Sequence, residues 1–337
     1  MKFAAASLLT TTAAAVMSTS AVAATLNGAT GYALASGGNK IDVIGDLGDP
    51  TSAITTLTLK GGQPLAAIAY RPVTGELYGY STTGRSDAVY TINLSDGSLV
   101  KVDASFAMGA DISPSAQVGF DFNNAIDAAR AVSTADDNLV FFPAGFDATS
   151  PRVARFTDLK YRDFGDSTDG DMEPDNRRDE NFGADPEVFA NAYTNAVVGR
   201  KAASTFQYGL DADLNTLVSI ANNTGVLDTI AEITLGGEVL DFSNKGGFDI
   251  LSMIEGDNLA VALLTVPGTG GGNTGVYTID LSTGAATLQR ALGKGGYAGF
   301  AAAPGMDDGG MAPVPVPAAG FLLVGALGAL GAARRKR

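Results

Sequence analysis

Two aspartates, Asp121 and Asp249, occupy the same place in two similar stretches, Gly119-Phe120-Asp121-Phe122 and Gly247-Phe248-Asp249-Ile250. Paired carboxylates are what a glycosidase uses as acid and base or as nucleophile, which makes Asp121 and Asp249 the candidate catalytic residues. The competing expectation is that each hydrogen-bonds to backbone between neighbouring units, and Arg71 and Arg130 could equally pair with them. A second acidic group, Asp169, Asp171, Glu173 and Asp175, alternates within residues 163–187, a stretch of ten acids against two bases. On an irregular loop those oxygens could converge on Ca2+. Counted from Asp169, the sixth and twelfth positions of an EF-hand loop fall on Pro174 and Glu180, so the required turn glycine is missing. A solvated insertion is the plainer expectation, and no other cofactor is indicated. Residues 268–275 are Gly-rich but lack the Lys-Ser/Thr of a phosphate loop and read as a hairpin loop.

The absent residue types exclude more than the present ones suggest. The 337-residue chain has no Cys, no His and no Trp. Without them there is no Ser-His-Asp triad, no Cys nucleophile, almost no zinc site, no disulfide and no indole platform for a sugar. The formal charge is −14, and five of the 22 basic residues lie in residues 1–23 and 318–337, which hold no acid. The middle therefore sets 17 basic against 36 acidic side chains, a surface that repels phosphate backbones, so no nucleic-acid partner is expected.

The elements that must position these residues are strands. A period near fifty residues brings back a small-apolar-x-apolar quartet: Ala67-Ile68-Ala69-Tyr70, the two Asp-bearing quartets, Asn191-Ala192-Tyr193-Thr194, and Gly299-Phe300-Ala301-Ala302. The Asn191 copy is the weakest. A strand-turn-strand unit also recurs, at residues 89–97 (VYTINLSDG) and 276–284 (VYTIDLSTG), with a looser copy at 217–225 (LVSIANNTG). Alternating apolar residues that run into Asp-Gly or Thr-Gly mark hairpins, so each unit is an antiparallel sheet of about four strands, the size of a propeller blade. The last unit stops after one strand at Pro304, whereas residues 30–59 have strands and no quartet. The fold class expected is all-β: a β-propeller-like ring of about five four-stranded blades, closed by N- and C-terminal strands, with a C-terminal apolar helix. A six-bladed count and a β-sandwich are the alternatives.

Both ends read as targeting segments. Lys2, the uncharged residues 3–17 and Ala21-Val22-Ala23 form a secretory signal cut by signal peptidase after the small residues Ala21 and Ala23. The expected domains are a signal peptide over 1–23, the β domain over 24–306 with its acidic insertion at 163–187, a Pro-rich linker over 307–317, and an apolar helix with a basic cluster over 318–337. The uncharged residues 318–333 would span about 24 Å as a helix, marginal for a membrane core of about 30 Å.

Val314-Pro315-Val316-Pro317-Ala318, the apolar segment and the terminal Arg/Lys cluster together resemble the VPLPA-CTERM class of PEP-CTERM-type sorting signals of Gram-negative bacteria, with Val316 in place of Leu. The resemblance implies recognition by an exosortase-like protease, then release or attachment at the cell surface; a plain tail anchor is the alternative. The stretches LAAIAYRPVTGELYGY, VGFDFNNAIDAARAVS, FGADPEVFANAYTNAVVG and GVYTIDLSTGAATL resemble the bacterial family catalogued as domain of unknown function 4394, which implies a propeller-like fold and no activity. Taken together, the expectation is an exported, non-enzymatic envelope or matrix protein that binds an extracellular polysaccharide or another envelope component. A carboxylate-dependent glycan hydrolase or lyase is the alternative.

Overall fold

A computed structural model describes residues 24–83, 86–144, 150–166, 176–268, 272–293 and 295–305. The chain first lays down β1 (Thr30–Ala35), β2 (Lys40–Ile44) and β3 (Ile54–Thr58), then a four-stranded meander of β4 (Ala67–Arg71), β5 (Glu76–Ser81), β6 (Ala88–Ile92) and β7 (Leu99–Lys101). The short β8 (Ser105–Phe106) leads to β9 (Val118–Asn123), β10 (Ala128–Ser133), β11 (Asn138–Phe142) and β12 (Arg152–Arg155). After β13 (Lys160–Tyr161) come β14 (Val188–Tyr193), β15 (Gln207–Asp211), β16 (Thr216–Ile220) and β17 (Val226–Glu232). Then β18 (Thr234–Leu235) and β19 (Glu238–Val239) precede β20 (Ser243–Leu251), β21 (Leu259–Val266), β22 (Asn273–Ile279), β23 (Ala285–Ala291) and β24 (Tyr297–Ala303).

These strands form five sheets, the blades of a propeller. Blade I is β24-β1-β2-β3, so the last strand is the innermost strand of the first blade. Blades II to V are built on β4–β7, β9–β12, β14–β17 and β20–β23. The inner strands β24, β4, β9, β14 and β20 neighbour one another in a closed circuit. Five hydrophobic clusters fill the five gaps between adjacent blades, so the core is itself a ring. Residues 30–59 supply the missing strands of the split blade, as the leftover sequence required. The hairpins over 89–97, 217–225 and 276–284 join the third and fourth strands of blades II, IV and V.

Two features depart from the repeat as the sequence shows it. The outer strand of one blade runs on to pair in parallel with the outer strand of the next: Lys60 with Ser98, β8 with β12, β13 with β17, and β18 with β23. The hairpin glycines make room for this hand-off. Gly97, Gly225 and Gly284 all have positive φ, and a Cβ there would meet a carbonyl of the arriving chain at 2.1–2.4 Å. The outer edges of blades II to V are thereby covered, which removes a template for unwanted pairing, whereas β3 of blade I keeps a free outer edge among the described residues. The second departure is in the Asn191 quartet. A register shift lies between Val188 and Ala190, and Ala190, rather than Asn191, is the small residue that meets Gly119. The polar Asn191 stands where the other copies carry Ile68, Phe120, Phe248 and Phe300, which makes this copy the weakest match.

Candidate functional site

The small residue of each quartet sits where the inner strands approach the ring axis. A Cβ on Gly247 would lie 2.4 Å from the Phe300 amide nitrogen, one on Gly119 2.7 Å from Ala190 Cα, and one on Gly299 3.3 Å from Ala67 Cα. The axis is therefore closed by backbone against backbone. What remains open is a cavity of about 10 Å³, the room of one water, lined by Ile68, Phe120, Asn191, Phe248 and Phe300 and the small residues beside them.

Asp121 and Asp249 lie on inner strands, two residues beyond the small position, and each is about 5% exposed. Asp121 Oδ2 accepts the Tyr193 amide of blade IV at 2.7 Å, and Asp249 Oδ2 accepts the Ala302 amide of blade I at 2.6 Å. Each carboxylate also accepts the amide that follows it, Phe122 or Ile250. These amides sit on the unpaired inner edge of each blade, where a ladder offers them no acceptor. One carboxylate thus serves two inner edges and ties one blade to the next. Burial pushes the Asp249 carboxyl up to about 7 despite its two amide donors. It pushes Asp121 well above the carboxylate range, and the neighbouring Asp249 charge adds to that shift.

Neither Arg71 nor Arg130 pairs with these acids. Arg71 instead makes a two-pronged bridge to Asp127, with its Nη2 2.6 Å from Oδ2. Arg130 donates to the Tyr193 hydroxyl and to Asn138 and lies over the Phe156 ring, in the gap between blades III and IV.

One end of the axis is covered by residues 194–206, the connection from β14 to β15. Gly199 bonds the Pro72 carbonyl of blade II, Ala202 the Asn124 carbonyl of blade III, and Ala203 the Glu255 carboxylate of blade V. Asn195 anchors this cover at a positive φ of 62°, linking to Ser204, Gly256 and Asn258. In the sequence this segment reads only as the gap between two runs, because its bonds are made to three other blades.

The remaining sequence candidates, Asp169, Asp171, Glu173 and Asp175, the signal-cleavage residues Ala21 and Ala23, the motif from Val314 to Ala318 and the apolar helix over 318–333, lie outside the described residues. Among the described residues no three acidic side chains are grouped to hold a metal ion, and no helix is long and apolar enough to cross a membrane. The described flank of the acidic insertion carries a cluster that the sequence reading missed. The Arg178 guanidinium sits 4.7 Å from the Phe164 ring centre and 4.1 Å from that of Phe182, and it bridges Asp163 at 2.8 Å. That hydrogen bond holds the Asp163 carboxyl below its usual range. Phe164 and Phe182 are 60% and 42% exposed, and Asp179 and Asn181 fasten the segment to Thr229 on β17, at the rim of blade IV. The signal was two phenylalanines bracketing an arginine pair in an otherwise acidic, polar run.

Strand order, sealed axis and closure by the chain ends define the class: a five-bladed β-propeller closed by its last strand. The chain belongs to the family described as Domain of unknown function (DUF4394), which matches residues 45–301. No curated protein matches it. Among solved structures, it is similar to an auxiliary nutrient binding protein from Bacteroides thetaiotaomicron, with 12% identity and a TM-score of 0.38 over 68% of this chain and 55% of that one. A counterpart from Bacteroides ovatus gives 10%, 0.37, 68% and 55% in the same order. A chain of a nidogen/laminin complex gives 10%, 0.39, 82% and 98%. The present chain spans about half the length of the two nutrient-binding chains. Likeness at this level assigns it no ligand.

Proposed function

We propose that this protein is a non-enzymatic binding scaffold of the cell surface or extracellular matrix of a Gram-negative bacterium, and that its propeller holds an exopolysaccharide or another envelope component. The observation that carries the reading is the Phe164-Arg178-Phe182 cluster on the rim of blade IV. Two exposed rings present apolar faces to the C–H surfaces of a sugar, and the guanidinium between them offers planar donors to an acidic substituent. Rigid blades holding an exposed loop are the usual basis of such recognition.

The carboxylate pair favours binding over turnover. Asp121 and Asp249 already accept backbone amides across blade gaps, in a place a sugar cannot reach without opening the ring. A carboxylate-dependent hydrolase or lyase is the second reading and would require that opening.

Export and sorting complete the proposal. Gly28 and Gly305 are in contact, so the described segments before β1 and after β24 run beside each other. The chain carries a secretory signal over residues 1–23 and a sorting signal at residues 314–318 that an exosortase-like protease processes. The test of binding is retention of the full-length protein on immobilised acidic and neutral bacterial polysaccharides, beside Arg178→Ala and Phe182→Ala. Retention on acidic polysaccharide that both variants lose supports the rim site. Equal retention of all three proteins, or none, removes it.

A further inference from the structure

Blades II to V each receive a strip of chain along their outer strand, but β3 of blade I receives none among the described residues. The lengths of the connections explain this. Residues 59–66, 102–117, 156–187 and 233–242 lead from one blade to the next and include the covering strips, whereas the step from β23 to β24 has only residues 292–296. A four-stranded blade is about 14 Å wide and that step reaches about 17 Å, so it is used up in passing from an outer strand to an inner one.

The edge so left is open to pairing. The Leu59 amide donates to the Asn39 carbonyl and the Gly45 amide to the Ala53 carbonyl, so the odd-numbered residues of this segment turn to β2. Ile54, Thr56 and Thr58 therefore turn their N–H and C=O outward, the same parity that lets Lys60 bond Gly97 and Leu99 of blade II. Natural sheets blunt a bare edge with Lys, Pro or a bulge, and β3 has none of these: it reads Ile-Thr-Thr-Leu-Thr and pairs with β2 in unbroken register.

Charge also sets this side of the ring apart. The outer strands β12 and β17 carry Arg152, Arg155, Asp228 and Glu232, but β23, β3 and β7 together hold no acid and two bases, Arg290 and Lys101. In a chain with 36 acidic side chains against 22 basic ones, two copies repel each other least here. The same three strands expose Ile54, Val100 and Leu288.

We infer that the outer edge of β3 is a self-association surface: two copies of this chain pair their β3 strands antiparallel about a two-fold axis near Thr56, which joins their four-stranded first blades into one sheet. An antiparallel edge is its own complement, because the outward N–H and C=O groups of Ile54 and Thr56 meet the same groups of the second copy. Val100 and Leu288, on the outer strands of the flanking blades, add apolar area beside the ladder. So short a ladder falls in the small class of interfaces, below about 1,200 Å², and its Kd is on the order of 10 µM. Pairing needs no glycan, so it stands or falls apart from the binding function proposed above.

The experiment is sedimentation velocity of the full-length protein from about 1 to 100 µM, tenfold either side of that Kd, with Ile54→Pro and Thr58→Lys beside it. Hydrogen exchange is read at both ends of the range. Proline is tolerated at the first residue of a strand and both positions are exposed, so dilute samples of the variants should melt as the wild type does. The wild type should pass from monomer to dimer, and each variant should dimerise at least tenfold more weakly. The Ile54 and Thr56 amides of the wild type should exchange about fourfold more slowly in the concentrated sample, as the unpaired fraction falls. Should a variant fail to fold, the exchange of the wild type decides. A wild type that stays monomeric throughout, or a dimer that both variants keep, overturns the inference. So does slow exchange at Ile54 and Thr56 in the dilute sample, which would show that residues 1–23 or 306–337 of the same chain cover the edge.

Discussion

Replacing Gly247 by Ala tests how closely the inner strands approach. The new methyl would lie 2.4 Å from the Phe300 nitrogen, 2.8 Å from Phe300 Cβ and 3.0 Å from the Gly299 carbonyl carbon. Carbon–carbon contacts are best near 3.5–4.0 Å, so blades V and I would have to separate by about 1 Å along a backbone that is tied on both sides. Such overpacking costs about 1–3 kcal/mol, and this contact with main chain lies at the upper end. Against it stands a gain of about 0.4–1 kcal/mol from the smaller entropy of an unfolded alanine. The expected net loss is about 2 kcal/mol, or a melting temperature lower by about 4–8 °C for a domain of this size. Gly119→Ala, with its nearest contact at 2.7 Å, should lose somewhat less. Gly299→Ala, at 3.3 Å, should be close to neutral because the two effects offset. Thermal and urea unfolding of the three variants checks the order. A wild-type melt for Gly247→Ala, or Gly299→Ala as the worst of the three, would show that the inner strands do not meet as described.

Three further outcomes follow from the same geometry. Folding raises the Asp249 carboxyl to about 7 and lifts Asp121 well above its usual value, so the folded protein binds protons more tightly than the unfolded chain. The stability from this source should be full below about pH 4 and fall as pH rises to about 7. Asp249→Asn should flatten that slope in urea titrations. Removing residues 297–305 takes away β24 and exposes the edges of β1, β4 and β20, so circular dichroism should show unfolding, whereas removing residues 311–337 should leave the melt unchanged. If Val314 to Ala318 is a processing signal, intact mass spectrometry of the native protein should find the basic terminus gone, and Pro315→Ala with Pro317→Ala should restore it.

The ring was legible in the sequence because its period is carried by side chains that packing demands: a small residue at the axis, apolar neighbours facing both blade gaps, and a hairpin glycine. The closing strand was legible for the same reason, since Gly299 to Ala302 repeats a quartet with no blade of its own and residues 30–59 lack one. What escaped was held by backbone or by distant partners. Two-residue parallel bridges such as β13 on β17 have no side-chain period, and the polar Asn191 at an apolar position hides the start of its quartet at Ala190. The cover over residues 194–206 depends on bonds to Pro72, Asn124 and Glu255, each more than fifty residues away. At the candidate site, Asp121 and Asp249 were visible as a pair, but only the structure shows which amides they accept. Phe164 and Phe182 stand fourteen and four residues from Arg178 in a polar, acidic run, so nothing in their spacing marks them as one cluster.

The most direct measurement is a glycan-degradation screen on the purified full-length protein, run with Asp121→Asn and Asp249→Asn and with a melt of each. Asn keeps an oxygen acceptor but turns an N–H toward a buried amide, at a cost of about 1–3 kcal/mol. A binding scaffold whose carboxylates tie blade III to IV and blade V to I predicts no turnover in any of the three proteins and a lower melting temperature in both variants. Turnover by the wild type that disappears in both variants, while their melts stay unchanged, would contradict it.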